Sequence, residues 1–176
     1  MKNTSNITLI GMPGVGKSTI GVILAKIIGL EFLDSDLLIQ KQEKKLLKDI
    51  IEKIGSDGFL ALENTIHAQL DVSNCIISTG GSVVYSGEAM QHLKDISTIV
   101  YLKLDYVSLE KRLGNLTARG VVLKNDQTLK NLYDERIPLY EQYADLIVDE
   151  TDLSVESTID AVLHALKSIS YATHTE

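Results

Sequence analysis

The chain has 176 residues, 44% hydrophobic and 23% charged, with 12 Gly and 2 Pro. Those proportions suit one compact domain and exclude a disordered, fibrous or collagen-like polypeptide. Seventeen Lys and Arg against 24 Asp and Glu leave a formal charge of −7, which argues against the broad cationic face that nucleic-acid binding uses while leaving room for a local patch, so any phosphate binding must be local.

Further readings follow from short stretches. The single Cys75, within Cys75-Ile76-Ile77, has no partner for a disulfide and reads as a core residue in a reducing, cytoplasmic compartment. The apolar run Ile20 to Ala25 is too short to span a bilayer, and residues 1–10 lack the layout of a signal peptide, so no membrane partner is expected.

In chain order, Ile7 to Ile10 is a short apolar run ending at Gly11, which predicts a buried strand feeding a glycine-rich turn. A helix follows, with Ile20, Ile23, Leu24, Ile27 and Ile28 on one face and Gly29 as its left-handed stop. Glu31 to Leu33 is a second strand, expected to lie beside the first. Amphipathic spacing then predicts helices over 36–54 and 56–71, broken at Gly55. Ser73 to Ser78 is a third strand, followed by the loop Ser78-Thr79-Gly80-Gly81-Ser82 and a short helix over 87–94.

Thr98 to Leu104 carries the strongest β pattern, and residues 106–113 return to helix. Gly114 to Asn125 shows no periodicity and reads as a functional loop. A helix over 126–143, a strand at Leu146-Ile147-Val148 and a terminal helix striped by Val155, Ile159, Val162, Leu163, Leu166 and Ile169 complete the chain, with a frayed tail from Ser170. Strands alternating with helices predict an α/β fold: one parallel sheet covered on both faces, with ligands at the carboxyl ends of its strands.

Gly11-Met12-Pro13-Gly14-Val15-Gly16-Lys17-Ser18 matches G-x-x-x-x-G-K-[ST] at every fixed position, between a predicted strand and a predicted helix. In such a loop the backbone N–H groups curl inward around phosphates, and the helix adds its positive end. Lys17 then reaches the β- and γ-phosphates, the Ser18 hydroxyl is a ligand for Mg²⁺, and Thr19 completes the nucleotide contacts. ATP and Mg²⁺ are the expected cofactors. Asp34 and Asp36 close the second strand. Two acids there suit a division of labour in which one assists the metal and the other accepts a proton from an attacking hydroxyl, although Ser35 or Asp36 also suits the N-cap of the next helix.

Only three arginines stand against 14 lysines: Arg112, Arg119 and Arg136. Arg119 falls in the 114–125 loop, where a guanidinium can close over a transferring phosphoryl group. Arg136 sits among apolar helix positions and needs a partner, structural or substrate.

Taken together these residues resemble the shikimate kinase family, over about residues 7–166. The resemblance rests on the phosphate loop, Asp34-x-Asp36, Phe59 and Glu63, Gly80-Gly81, Arg112, Arg119, and Arg136-Ile137-Pro138-Leu139-Tyr140. It implies a three-layer α/β/α kinase domain with a five-stranded parallel sheet, a lid over 114–125 and a substrate-binding helical region over 36–62, acting as a monomer. It also implies transfer of the ATP γ-phosphate to a hydroxyl of shikimate. Asp34 would then assist Mg²⁺, and Asp36 would hold the substrate hydroxyls and act as base. Arg136 would grip the substrate carboxylate, Gly80, Gly81 and Ser82 would line the substrate, and Arg112 would pack on adenine, beside the loop Asp149 to Asp152.

Three positions depart from the family pattern. Leu60 stands where a second carboxylate-gripping Arg is expected, leaving Glu63 without its partner. Ser82 replaces a third glycine, and Gly120 replaces a proline after the lid arginine. Besides shikimate kinase itself, the residues therefore admit a kinase of another small hydroxy acid or polyol whose pocket Leu60 reshapes, or a nucleotide-binding regulator that has lost transfer. Nucleoside monophosphates are disfavoured as acceptors because no arginines are spare to hold an acceptor phosphate.

Overall fold

The computed structural model describes residues 5–113 and 127–172, with side chains as far as Ile169. Five strands form one parallel sheet: β1 Asn6–Ile10, β2 Glu31–Asp34, β3 Cys75–Ser78, β4 Ser97–Lys103 and β5 Leu146–Asp149, in the spatial order β2-β3-β1-β4-β5. Among the described residues seven helices surround it: α1 Lys17–Ile28, α2 Ser35–Glu43, α3 Leu47–Ala68, α4 Gly87–Ile96, α5 Tyr106–Leu113, α6 Leu129–Tyr143 and α7 Val155–Ala172. A 3₁₀ turn at Val83–Tyr85 follows the Gly80-Gly81 loop. Among the described residues, no helix is long and apolar enough to cross a membrane.

The strand order corrects one expectation. β2 pairs with β3, and β3 with β1, so the Asp34 strand lies one place removed from the phosphate-loop strand. Burial explains the placement. All four residues of β3 are buried, as an interior strand needs, whereas β2 exposes Glu31 and suits the edge. The central β1 is buried along its whole length.

The expected helix over 36–54 is also two elements. α2 ends where Lys44 adopts the left-handed conformation, φ 54°, and donates its N–H to the Gln40 carbonyl. α3 starts at Leu47 and runs past the non-helical Gly55, so the break expected there is a kink between two helical stretches. Nothing in Lys44-Lys45-Leu46 resembles a standard stop, because lysine is an ordinary helix former. α6 begins at Leu129 rather than 126, behind a capping box in which Thr128 and Asn131 bond reciprocally. The expected loop over 114–125 lies outside the described residues.

One core packs both sheet faces, and a second, smaller one forms where Ile39, Ile50, Phe59 and Ile66 meet between α2 and α3. Cys75 is buried in the main core, as its apolar neighbours imply. Asn6 ties the amino-terminal edge of the sheet together. Its amide donates to the Val72 and Ile96 carbonyls at 2.7 and 3.0 Å, while its Oδ1 accepts from the Cys75 N–H at 3.0 Å. Asn6→Leu would leave three backbone groups without a partner inside the protein and should cost about 3 kcal/mol, read as a lower urea midpoint at unchanged slope. A loss under about 1 kcal/mol would show that water or a backbone shift replaces those bonds.

Candidate active site

β1 ends at the centre of the sheet, and the chain turns there through the phosphate loop into α1. The turn is possible because Gly16 sits at φ 105°, a conformation that costs a side-chain-bearing residue dearly. No side chain caps α1, so its first N–H groups and the positive end of the helix are open to an anion. Lys17, 7% exposed, folds back across the loop and donates to the carbonyls of Gly11 and Met12 at 2.8 and 3.0 Å. Burial pulls its ammonium down to about 8, against the opposing pull of Asp36. A bound triphosphate would favour the charged form again.

The two acids after β2 take different roles. Asp34 uses Oδ1 to cap α2, accepting from the N–H groups of Asp36 and Leu37 at 3.0 and 3.3 Å. The capping anticipated for Ser35 or Asp36 thus belongs to Asp34. Its other oxygen accepts from the Ser18 hydroxyl at 2.6 Å, and Ser18 also meets the Ser78 hydroxyl at 3.2 Å. Asp34 and Ser78 are register partners on β2 and β3, so the intervening strand links the acid to the loop instead of separating them. Asp36 instead lines the cleft, where burial pushes its carboxyl up, the neighbouring Asp34 adds to the rise, and Lys17 opposes it.

Ser18 and Asp34 present hard oxygen ligands 2.6 Å apart, which fits Mg²⁺, an ion that takes one or two protein oxygens and leaves the rest of its shell to phosphates and water. Among the described residues no cluster of three or more His, Cys, Asp or Glu suits a metal held by protein alone.

The cleft beside the loop measures about 300 Å³. It is walled by the phosphate loop, Asp36, Phe59, the Gly80-Gly81-Ser82 turn and Arg136, together with Leu47 and Thr79, which no sequence motif marks. Gly80 is required by space: a Cβ there would collide with Glu63 Oε1 and come to 3.2 Å from Asp36 Oδ1. Ser82 keeps the turn at φ −89° and uses its hydroxyl to donate to Glu63 Oε2 at 2.7 Å. Glu63 is wholly buried and its Oε1 has no partner.

Arg136 is 3% exposed. Its Nε donates to the Tyr85 hydroxyl at 3.2 Å and its guanidinium lies 5.1 Å from that ring's centroid. Among the described residues no carboxylate comes within salt-bridge distance of it. A desolvated cation without a counter-ion at a cleft wall is suited to an anionic ligand. Tyr140, stacked on Tyr101, steadies the opposite turn by donating to the Gly81 carbonyl at 2.6 Å. Tyr85 and Tyr140 buttress the site through tertiary contacts; Tyr140 closes the Arg136-Ile137-Pro138-Leu139-Tyr140 run, whereas no local pattern announces Tyr85.

Two expected site residues lie outside the main cleft. Leu60 does not line the main cleft: it faces a small adjoining cavity shared with Asp57, Tyr85, Leu132 and Arg136. Arg112 borders a separate cavity next to Val15, Gly16, Thr19 and Glu150. Arg119 lies outside the described residues.

A helix-capped triphosphate cradle opening on a small cleft with a buried guanidinium that meets no carboxylate among the described residues is the layout of an ATP-dependent small-molecule kinase. Comparison with known proteins narrows the class. The family model for shikimate kinase matches residues 13–167. A shikimate kinase from Clostridium botulinum is 40% identical over 167 residues, covering 92% of this chain and 96% of its own. One from Thermobifida fusca is 32% identical over 160 residues, covering 90% and 92%. The solved shikimate kinase from Acinetobacter baumannii in complex with shikimate superposes with a TM-score of 0.86 at 28% identity, covering 95% of each chain. The chain belongs to the shikimate kinase family, and its five-stranded parallel sheet is the architecture that the resemblance implied.

Glu63 gives this site a pH signature. Burial pushes its carboxyl up to about 7 from 4.5, the Ser82 hydrogen bond opposes the rise, and Asp36 adds to it. Between those two values the folded chain holds a proton that the unfolded chain releases, so stability falls as pH rises and the loss is complete above about pH 7. Glu63→Gln removes that slope. From about pH 4.5 to pH 8 the variant should gain about 3 kcal/mol on the parent in urea unfolding, and parallel pH profiles would refute a neutral Glu63.

Proposed function

We propose that this enzyme transfers the γ-phosphoryl group of ATP to a hydroxyl of shikimate. The observation that carries the reading is Arg136: a buried guanidinium with no carboxylate partner among the described residues, in the same cleft as Lys17 and Asp36. Shikimate offers what those walls ask for, a carboxylate for Arg136 and hydroxyls for Asp36. The turn of Gly80, Gly81 and Ser82 borders the same space.

The chemistry follows from placement. The phosphate-loop amides and Lys17 hold the β- and γ-phosphates and take up charge spreading onto the transferring group. Asp36 accepts the acceptor hydroxyl's proton as its oxygen attacks phosphorus and the bond to the ADP oxygen breaks. A carboxylate raised above its ordinary range is a better base for that step. Ser18 and Asp34 would hold Mg²⁺, which when bound would supply positive charge to offset the charge developing on the phosphates. Arg119 is assigned to the γ-phosphate by its place in the family pattern. Arg112 is assigned to the nucleotide base, an assignment supported by its cavity beside the phosphate loop. The whole chain serves as one kinase domain, with the lid over 114–125, working as a monomer in the cytoplasm without nucleic-acid or membrane partners. A single buried cysteine suits that compartment.

A second acceptor, another small hydroxy acid, is favoured by one observation: Leu60 and Leu132 put apolar surface beside Arg136, so a single guanidinium grips the carboxylate. Coupled measurement of ADP release should show a larger response to shikimate than to quinate or gluconate, and the opposite order would assign the other acid. Lys17→Ala should reduce turnover at least about 100-fold with the fold intact. Leu60→Arg should lower the KM for shikimate by about ten- to a hundredfold, the worth of one charge-assisted hydrogen bond. An unchanged KM would mean that the adjoining cavity does not communicate with the acceptor.

A further inference from the structure

The cavity beside the acceptor cleft measures about 120 Å³ and is bordered by Val15, Thr19, Arg112, Glu150, Leu153 and Val155. Its two charged residues are unequally exposed: the Glu150 side chain is 2% accessible and that of Arg112 38%. A single guanidinium nitrogen, Arg112 Nη1, donates both to Glu150 Oε1 at 2.6 Å and to the Val15 carbonyl at 3.1 Å. That atom therefore ties α5 to the segment after β5 and to the backbone of the phosphate loop.

Glu150 is itself fixed. Its N–H donates to the Lys103 carbonyl at 2.9 Å and its carbonyl accepts from Leu153 N–H at 3.0 Å, so its carboxylate rests on the rigid end of the sheet. The anchored nitrogen fixes one end of the guanidinium while the rest of the side chain stays accessible at the cavity. A long arginine side chain loses much rotamer freedom on binding a ligand, and a fixed partner removes that cost beforehand. The pairing has an electrostatic consequence as well. An unpaired arginine next to the phosphate loop would be drawn to the triphosphate, whereas a neutralised one offers its planar face to an aromatic ring.

We propose that Glu150 is a positioning residue for the nucleotide base, holding Arg112 at the cavity wall so that the base packs against a preset guanidinium. This rests on the assignment of Arg112 to the base. Packing on a guanidinium tolerates any base, because each presents a π-face. Glu150 therefore acts on affinity and leaves base choice alone.

The test uses the full chain and titrates ATP, ITP and inorganic tripolyphosphate, with steady-state kinetics alongside. Glu150→Gln should raise the Kd of ATP and of ITP by the same factor, about three- to tenfold, with kcat at saturating ATP and tripolyphosphate affinity unchanged. Arg112→Ala should weaken ATP by at least as much, and adding Glu150→Gln to it should change nothing more. Glu150→Asp retains the charge on a shorter arm. It should also weaken ATP while sparing tripolyphosphate, which keeps the test available if the glutamine variant does not fold. Unchanged ATP affinity in both Glu150 variants, with Arg112→Ala weakened, would overturn the positioning role and leave the base contact standing. Unchanged affinity in Arg112→Ala would overturn the base contact and the proposal with it. An equal loss for tripolyphosphate would make Glu150 a structural support of the loop, and unequal factors for ATP and ITP would mean that it reads the base directly. Either result overturns the proposal.

Discussion

The site depends on one buried ammonium. Lys17 crosses the phosphate loop to bond the carbonyls of Gly11 and Met12, and it shares the cleft with Asp36 and Arg136. Removing it from water is costly, and the desolvation shows in its lowered proton affinity. The surrounding acids offset part of that cost. Asp34 and Asp36 lie close enough to favour the charged form, while Arg136 opposes it. The cleft thus sets Lys17 and Arg136 beside Asp34 and Asp36, and the negative charge of a bound triphosphate would favour the charged ammonium further.

Hydrogen bonding and burial explain why the carboxyls differ. Asp34 is engaged on both oxygens, by the α2 amides and by Ser18. Asp36 faces the cleft with its acidity weakened by burial. Glu63, wholly buried and accepting from the Ser82 hydroxyl, is pushed toward the neutral acid by burial. Three carboxyls are separated into a helix cap, a cleft-lining acid and a buried acid by where the backbone puts them. The Gly80 turn makes the crowding possible, since any side chain there would displace Glu63.

The outline of this arrangement was legible because its signals are local. A phosphate loop needs glycines, a lysine and a hydroxyl at set spacing, and the alternation of short apolar runs with 3.6-residue stripes identifies strands and helices. Ser82 tolerating its turn and Arg136 needing a partner could likewise be read from side-chain chemistry. The strand order could not. β1 and β2 are neighbours along the chain, and only the full burial of β3 shows that it must lie between them. The break at Lys44 was hidden for the same reason, because a lysine in the left-handed conformation is held by surrounding structure and not by its own preference.

What the amino-acid order determined alone was the chemistry available: a triphosphate cradle, two acids after a strand, and three scarce arginines in an acidic chain. Tertiary structure decided which groups meet. It joined Asp34 to Ser18 across an intervening strand, left Arg136 without a carboxylate among the described residues, turned Leu60 away from the main cleft, and set Glu150 beneath Arg112. The physical reason is range. Backbone preferences and motif spacings act over a few residues, whereas desolvation and charge pairing depend on neighbours tens of positions away in the chain.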